Sequence, residues 1–258
     1  SQCEWSRAVT VTTPQGFTAA GVACGLKQNG NRDFAVVVNN GPEYTAAAVT
    51  TSNRVYAAPV GWTRQAVAAG SLHAVGLNSG GANACTGEEG YADTVATAHL
   101  AGAKIGVAPG EVAVCSTGLI GELLNMDAIR AGIDAGFSEL SDDGGANAAL
   151  AIMTTDTKPK TSAVTGDYSI GGMAKGAGML APQLATKLVV LTTDASLTTE
   201  QANDALRQAM DQSFDRIDSD GCMSTNATVI LLASGASGIA PDLDEFTAGL
   251  TRVSQDLA

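Results

Sequence analysis

Apolar positions along this chain alternate between short β-branched runs and longer stretches with helical spacing. Phe34-Ala35-Val36-Val37-Val38 is closed by Asn39-Asn40-Gly41-Pro42, which predicts a buried strand and a turn. Residues 45–51, 55–60, 71–77 and 112–115 read as further strands, and residues 88–103 and 126–135 as helices. Residues 78–87 (Asn-Ser-Gly-Gly-Ala-Asn-Ala-Cys-Thr-Gly) are too rich in Gly and Asn for a regular element and predict a loop whose backbone packs closely. In the second half, residues 188–191 and 228–233 read as strands. Between them Thr198-Thr199-Glu200-Gln201 has capping-box spacing, and Ala202, Ala205, Leu206, Ala209 and Met210 follow as one apolar stripe. Residues 242–257 predict a last helix, with Pro241 at its start and Asp242, Asp244 and Glu245 in its first turn. Helices and strands are mixed throughout. The class is therefore α/β or α+β with helices layered on sheet, without an internal repeat or a linker.

Composition narrows the chemistry. Of 258 residues, 45% are hydrophobic but only 4% aromatic, with 30 glycines, so the core is built from small and branched aliphatic side chains. The net charge of −12 repels phosphate and argues against nucleic acid and against an anionic membrane. No apolar run approaches the ~18 residues of a membrane span. Ser1–Arg7 lacks the apolar core of a secretory signal. Cys3, Cys24, Cys85, Cys115 and Cys222 are scattered without a CxxC pair, the usage of a reduced, cytoplasmic protein. His73 and His99 are the only two histidines, so a histidine-rich metal site is excluded by count. Both read as structural, His73 within the strand read over 71–77 and His99 on a helix. The acid pairs Glu88-Glu89 and Asp142-Asp143 read as solvated charges, and Asn226-Ala227-Thr228 as a chance glycosylation sequon.

Walker A, GxSxG and complete GxGxxG motifs are absent. Three other segments carry candidate chemistry. Residues 171–188 place four glycines and Pro182 before a strand, with Thr186 at its start. A Thr exposed by a tight turn can use its own α-amine as base once the preceding peptide bond is cut. That amine, with an ordinary pKa of about 7.7–8.0, suits general base work near neutrality. An ordinary β-branched strand residue is the alternative. Ser116-Thr117-Gly118 sets a hydroxyl beside an unhindered glycine N–H, suitable donors for an oxyanion, or closes the strand as a plain turn. Thr154-Thr155-Asp156 offers two hydroxyls and a carboxylate, or a turn.

Together with residues 78–87, these segments resemble the ornithine acetyltransferase (glutamate N-acetyltransferase) family. The resemblance runs from about Thr13 to the C-terminus, with 115–122, 152–156 and 172–188 in matching order. It implies a helix–sheet–sheet–helix sandwich like that of the N-terminal-nucleophile hydrolases. It implies self-cleavage between Ala185 and Thr186, dividing residues 1–185 as an alpha-chain part from residues 186–258 as the start of a beta chain. Thr186 would then carry acetyl from N2-acetylornithine to glutamate, in arginine biosynthesis. Thr117 and Gly118 match the family's oxyanion hole, and Thr154 and Lys175 its substrate-binding positions. No metal or prosthetic group is implied. The implied partners are small molecules, with acetyl-CoA a donor for some relatives, and the cleaved fragment in an assembly of two alpha and two beta chains.

Three departures accompany the match. The family continues past residue 258 into a segment with a substrate-binding Glu and a C-terminal Asn and Ser/Thr. Lys187 stands where an apolar residue is usual, and Ala227 where relatives often carry an acid. A self-processing amidohydrolase or aminopeptidase, with water as acceptor, and an inactive remnant are the rival expectations.

Overall fold

The computed structural model describes residues 9–176, 187–214 and 224–258. The order of elements is β1 (Phe17–Val22), β2 (Phe34–Asn39), β3 (Thr45–Thr50), α1 (Ala58–Val67), β4 (Ala74–Asn78), α2 (Gly87–Ile105), β5 (Val112–Ser116), α3 (Met126–Ser138), α4 (Gly145–Ala151), β6 (Lys160–Val164), β7 (Ile170–Lys175), β8 (Leu188–Thr193), α5 (Thr199–Asp211), β9 (Thr228–Ala233) and α6 (Leu243–Leu257). One sheet has the order β1-β2-β4-β5 and the other β3-β9-β8-β7-β6. Pairing is antiparallel except for β4 with β5 and β8 with β9.

The period of two along each strand sorts side chains into layers. Ala35, Val37, Val75, Leu77, Ala113 and Cys115 from the first sheet meet Met173, Leu188, Val190, Ile230 and Leu232 from the second in one buried cluster between the sheets. The alternate residues face outward. Val36, Val38, Val112 and Val114 pack under Ala98 and Ala101 of α2 and Ile129 and Ile133 of α3. Ala174, Val189, Leu191 and Leu231 pack under α5 and α6. The result is the four-layer helix–sheet–sheet–helix sandwich that the family resemblance implies.

Local signals hold where they are strong. Thr198 caps α5 with the reciprocal bonds of a capping box, and all five stripe residues are buried. Asp242 caps α6 by accepting from the Glu245 N–H. Two readings are corrected. Residues 55–60 are not a strand: Pro59 sits in the first turn of α1, where its missing N–H costs nothing, and Pro59, Val60, Thr63 and Ala66 form the buried side. Residues 171–175 are not a glycine turn but part of β7. Gly171 and Gly172 are there for close approach, since a Cβ would lie 2.2 Å from the Thr10 carbonyl oxygen and 2.7 Å from Leu257 Cδ1 respectively.

The open edge of the first sheet, β5, is covered by α1. Trp62 Nε1 donates to the Val112 carbonyl (2.9 Å) and Thr63 Oγ1 to the Val114 carbonyl (2.8 Å). This anchoring fixes the strand that leads directly into Thr117 and Gly118.

Candidate active site

The inward parity of β5 (Ala113, Cys115) continues to Thr117, and that of β7 (Met173) continues to Lys175. The two facing sheets therefore bring these side chains toward each other at one end of the inter-sheet layer. Lys175 is 1% exposed and Thr117 fully buried. Lys175 Nζ donates to Thr117 Oγ1 (3.0 Å) and to Thr154 Oγ1 (2.7 Å). The structure thus joins four of the residues singled out in the sequence, Thr117, Gly118, Thr154 and Lys175, although they come from three separate segments.

Lys175 makes no ion pair among the described residues. Burial pulls its ammonium pKa down to about 8; the Asp156 carboxylate opposes that fall and the Lys27 ammonium adds to it. A buried cation whose hydrogen-bond partners among the described residues are hydroxyls can receive an incoming carboxylate or oxyanion. An ammonium can only donate, so Thr117 Oγ1 accepts from Lys175 and keeps its own hydroxyl proton to give elsewhere.

Gly118 has φ +132°, and a Cβ there would lie 2.5 Å from the Gly81 nitrogen. Only glycine fits this turn. The Gly81 N–H donates to the Thr117 carbonyl and the Thr117 N–H to the Asn78 carbonyl (both 3.0 Å), while the Gly118 N–H donates to no described residue. The close backbone packing expected of residues 78–87 is this contact. Behind it, Asn78 accepts from Ser116 Oγ (2.6 Å) and donates to the Gly81 carbonyl (2.9 Å). Asn226, just before β9 in the other sheet, donates to the carbonyls of Ala82 (2.7 Å) and Ser116 (2.9 Å). It is 2% exposed, so its side chain is a tie between the sheets and not a surface sequon.

Sequence reasoning missed Asn78 and Asn226. An Asn inside an apolar strand end was the available signal. Lys27, part-buried and with its pKa lowered by burial despite Asp33 and Asp156, was missed as well.

Ala185 and Thr186 lie outside the described residues, as do Cys3 and Cys222. Lys187, next in the chain, accepts at its carbonyl from the Thr228 N–H (2.9 Å), and its Nζ lies 5.6 Å over the Phe214 ring in the outer layer. Leu188 pairs with Lys175 across the sheet. His73 stacks on Tyr44 (3.8 Å) and meets Glu111 through Nδ1 (3.0 Å), and His99 is exposed on α2, so neither joins the cluster. Burial pushes the Cys24 and Cys115 thiols up to about 12, with Asp33 adding to the rise at Cys24, which makes both inert. Glu88, Glu89, Asp142 and Asp143 are exposed. Among the described residues no group of His, Cys, Asp and Glu could hold a metal ion, and no helix is long and apolar enough to cross a membrane.

Comparison with known proteins bears on this arrangement. The arginine biosynthesis bifunctional protein ArgJ of Streptomyces coelicolor is 58% identical over 250 residues, covering 96% of this chain and 65% of its own length. The chain thus spans about 65% of the length of such relatives. A solved ornithine acetyltransferase from Mycobacterium tuberculosis, complexed with ornithine, superposes with a TM-score of 0.65 at 53% identity, over 69% of this chain and 97% of that one. An L-aminopeptidase D-Ala-esterase/amidase from Ochrobactrum anthropi, described as a variant of the Ntn hydrolase fold, matches over 98% of this chain and 86% of that one. Its TM-score is 0.55 at 12% identity, which shows the shared fold alone. A model described as the ArgJ family matches residues 18–258, and on that match the chain belongs to the ArgJ family.

Proposed function

We propose that this chain carries the catalytic layers of a self-cleaving acetyltransferase that moves acetyl from N2-acetylornithine to glutamate. The observation that carries the reading is the buried Lys175 ammonium, held between the Thr117 and Thr154 hydroxyls beside the Gly118 N–H. Thr186, outside the described residues, stands two positions before Leu188, an inward-facing residue paired with Lys175.

In the proposed cleavage, Thr186 Oγ attacks the Ala185 carbonyl. The C–N bond breaks, the hydroxyl proton passes to the departing nitrogen and so frees the Thr186 amine, and the Ala185 acyl group becomes an ester of Thr186. Water then hydrolyses that ester to release the Ala185 carboxylate and restore the Thr186 hydroxyl. In transfer, the same Oγ attacks the acetyl carbonyl while its α-amine takes the hydroxyl proton. That proton passes to the departing ornithine amine. The glutamate amine then attacks the acetyl ester and regenerates Thr186. Each tetrahedral oxyanion forms next to the Gly118 N–H and the Thr117 hydroxyl, donors each worth about 2.7–4 kcal/mol of barrier. Thr154 and Lys175 hold the substrate, with the ammonium opposite a carboxylate. Residues 1–185 and 186–258 remain one folded unit, since β8 and β9 of the second part lie within the sheet of β3, β6 and β7. Two such pairs form the expected assembly.

Denaturing mass spectrometry, followed by an assay with labelled acetylornithine with and without glutamate, tests the reading. Two species split at Ala185–Thr186 and label appearing on glutamate are expected. Thr186→Ala abolishes both cleavage and transfer; retention of either overturns the assignment. Label released mainly to water points to a hydrolase, and one intact species without transfer to an inactive chain.

A further inference from the structure

Asp156 has no part in the chemistry above, yet its carboxylate spans the site. Oδ2 accepts from the Thr154 N–H (3.0 Å) and Oδ1 from the Gly176 N–H (2.9 Å). Gly176 follows Lys175 and ends β7, with φ +88°. One side chain therefore joins the turn after α4 to the end of β7 where Lys175 Nζ meets Thr154 Oγ1. We propose that Asp156 is a positioning residue that clamps the Thr154 turn to the end of β7 and so holds the Lys175 ammonium between the Thr117 and Thr154 hydroxyls. Its consequence for catalysis rests on the acetyltransferase reading; the clamp itself does not.

Both backbone bonds are charge-assisted, the stronger kind. A residue one methylene shorter or longer does not reach both amides in the same geometry, and Asn loses one of the two acceptors. The carboxylate has a second effect. The charged groups facing Lys175 are Asp156, from the turn, and Lys27, from the loop after β1, with Asp33 in turn facing Lys27. Asp156 alone favours the protonated ammonium, against burial and Lys27. Without it Lys175 deprotonates at lower pH, and the anion receptor is weakened near neutrality.

The test is a titration of the full chain carrying lysine labelled with carbon-13 at Cε, followed by NMR. The Lys175 resonance is the one missing from Lys175→Arg. In Asp156→Asn its midpoint is expected to fall by about 1 pH unit, and the Gly176 amide to exchange with solvent about 10-fold faster. An unchanged midpoint overturns the proposal, and so does a Gly176 amide that exchanges at the parent rate. Should Asp156→Asn not fold, Asp156→Glu decides. It keeps the charge but displaces the acceptors, so the midpoint stays near the parent's and exchange rises; parent-like exchange overturns the clamp. Neither readout needs acetyl transfer. A chain that shows both shifts while the parent transfers no acetyl group retains the clamp and loses the proposed function.

Discussion

The two faces of β7 and β8 are made by alternate residues of the same two strands and serve opposite ends. The outer face, Ile170, Ala174, Val189 and Leu191, is apolar along its length and sealed by α5 and α6. The inner face starts the same way, with Met173, Leu188 and Val190, but ends in Lys175. One face removes apolar surface from water at about 25 cal/mol per Å² and holds the sandwich together. The other keeps a desolvated ammonium that costs stability and has value only when an anion meets it. A group buried against its own folding preference, beside a left-handed glycine whose N–H donates to no described residue, makes this end of the sandwich the candidate for chemistry.

Lys175→Met separates the faces most sharply. Acetyl transfer is expected to fall by about 10²–10³-fold, while stability is unchanged or rises, because an apolar side chain of similar length replaces a buried charge. The pH dependence carries the sign. Folding lowers the Lys175 pKa from 10.5 to about 8, so between those values the unfolded chain binds the extra proton. Stability therefore gains as pH rises through that window, and the penalty is complete below about 8. The melting-temperature advantage of Lys175→Met is thus greatest at neutral pH and shrinks toward pH 10.5, as differential scanning calorimetry can read.

On the outer face the pattern reverses. Leu206, 1% exposed, belongs to the buried stripe of α5 that covers this face. Leu206→Ala should cost about 2–5 kcal/mol in urea denaturation and leave cleavage and transfer intact in the folded fraction. Gly118→Ala sits between the two. With φ +132° and a Cβ 2.5 Å from the Gly81 nitrogen, it should cost about 1–3 kcal/mol and also depress transfer, by moving the 117–118 peptide. Thr198→Ala removes the capping box at the exposed start of α5. It should cost about 1 kcal/mol, with activity unaltered, and equal loss of both would blur the division between the faces.

How much of this could be read from residues alone varies by element. Helix α5 was legible to the individual stripe residue, because capping and period are local codes. Strand β7 was not, because two glycines that read as a turn are there to admit the Thr10 carbonyl and the Leu257 side chain, partners far away in sequence. Pro59 misled for the opposite reason, as two β-branched neighbours outweighed a helix-opening proline. At the site, Thr117, Gly118, Thr154 and Lys175 were legible as a matched set of motifs, but Asn78, Asn226 and Lys27 were not, since each acts through contacts with another segment.

The sequence by itself determined the alternation of helices and strands, the small-residue core, the acidic surface and the family motifs, all properties of composition and short-range spacing. Only the tertiary structure decided that β5 and β7 point Thr117 and Lys175 at each other from opposing sheets. It also decided that a single carboxylate, Asp156, bonds both neighbours of that contact. Strand parity says which residues share a face, but which two faces meet is set by the packing of whole sheets.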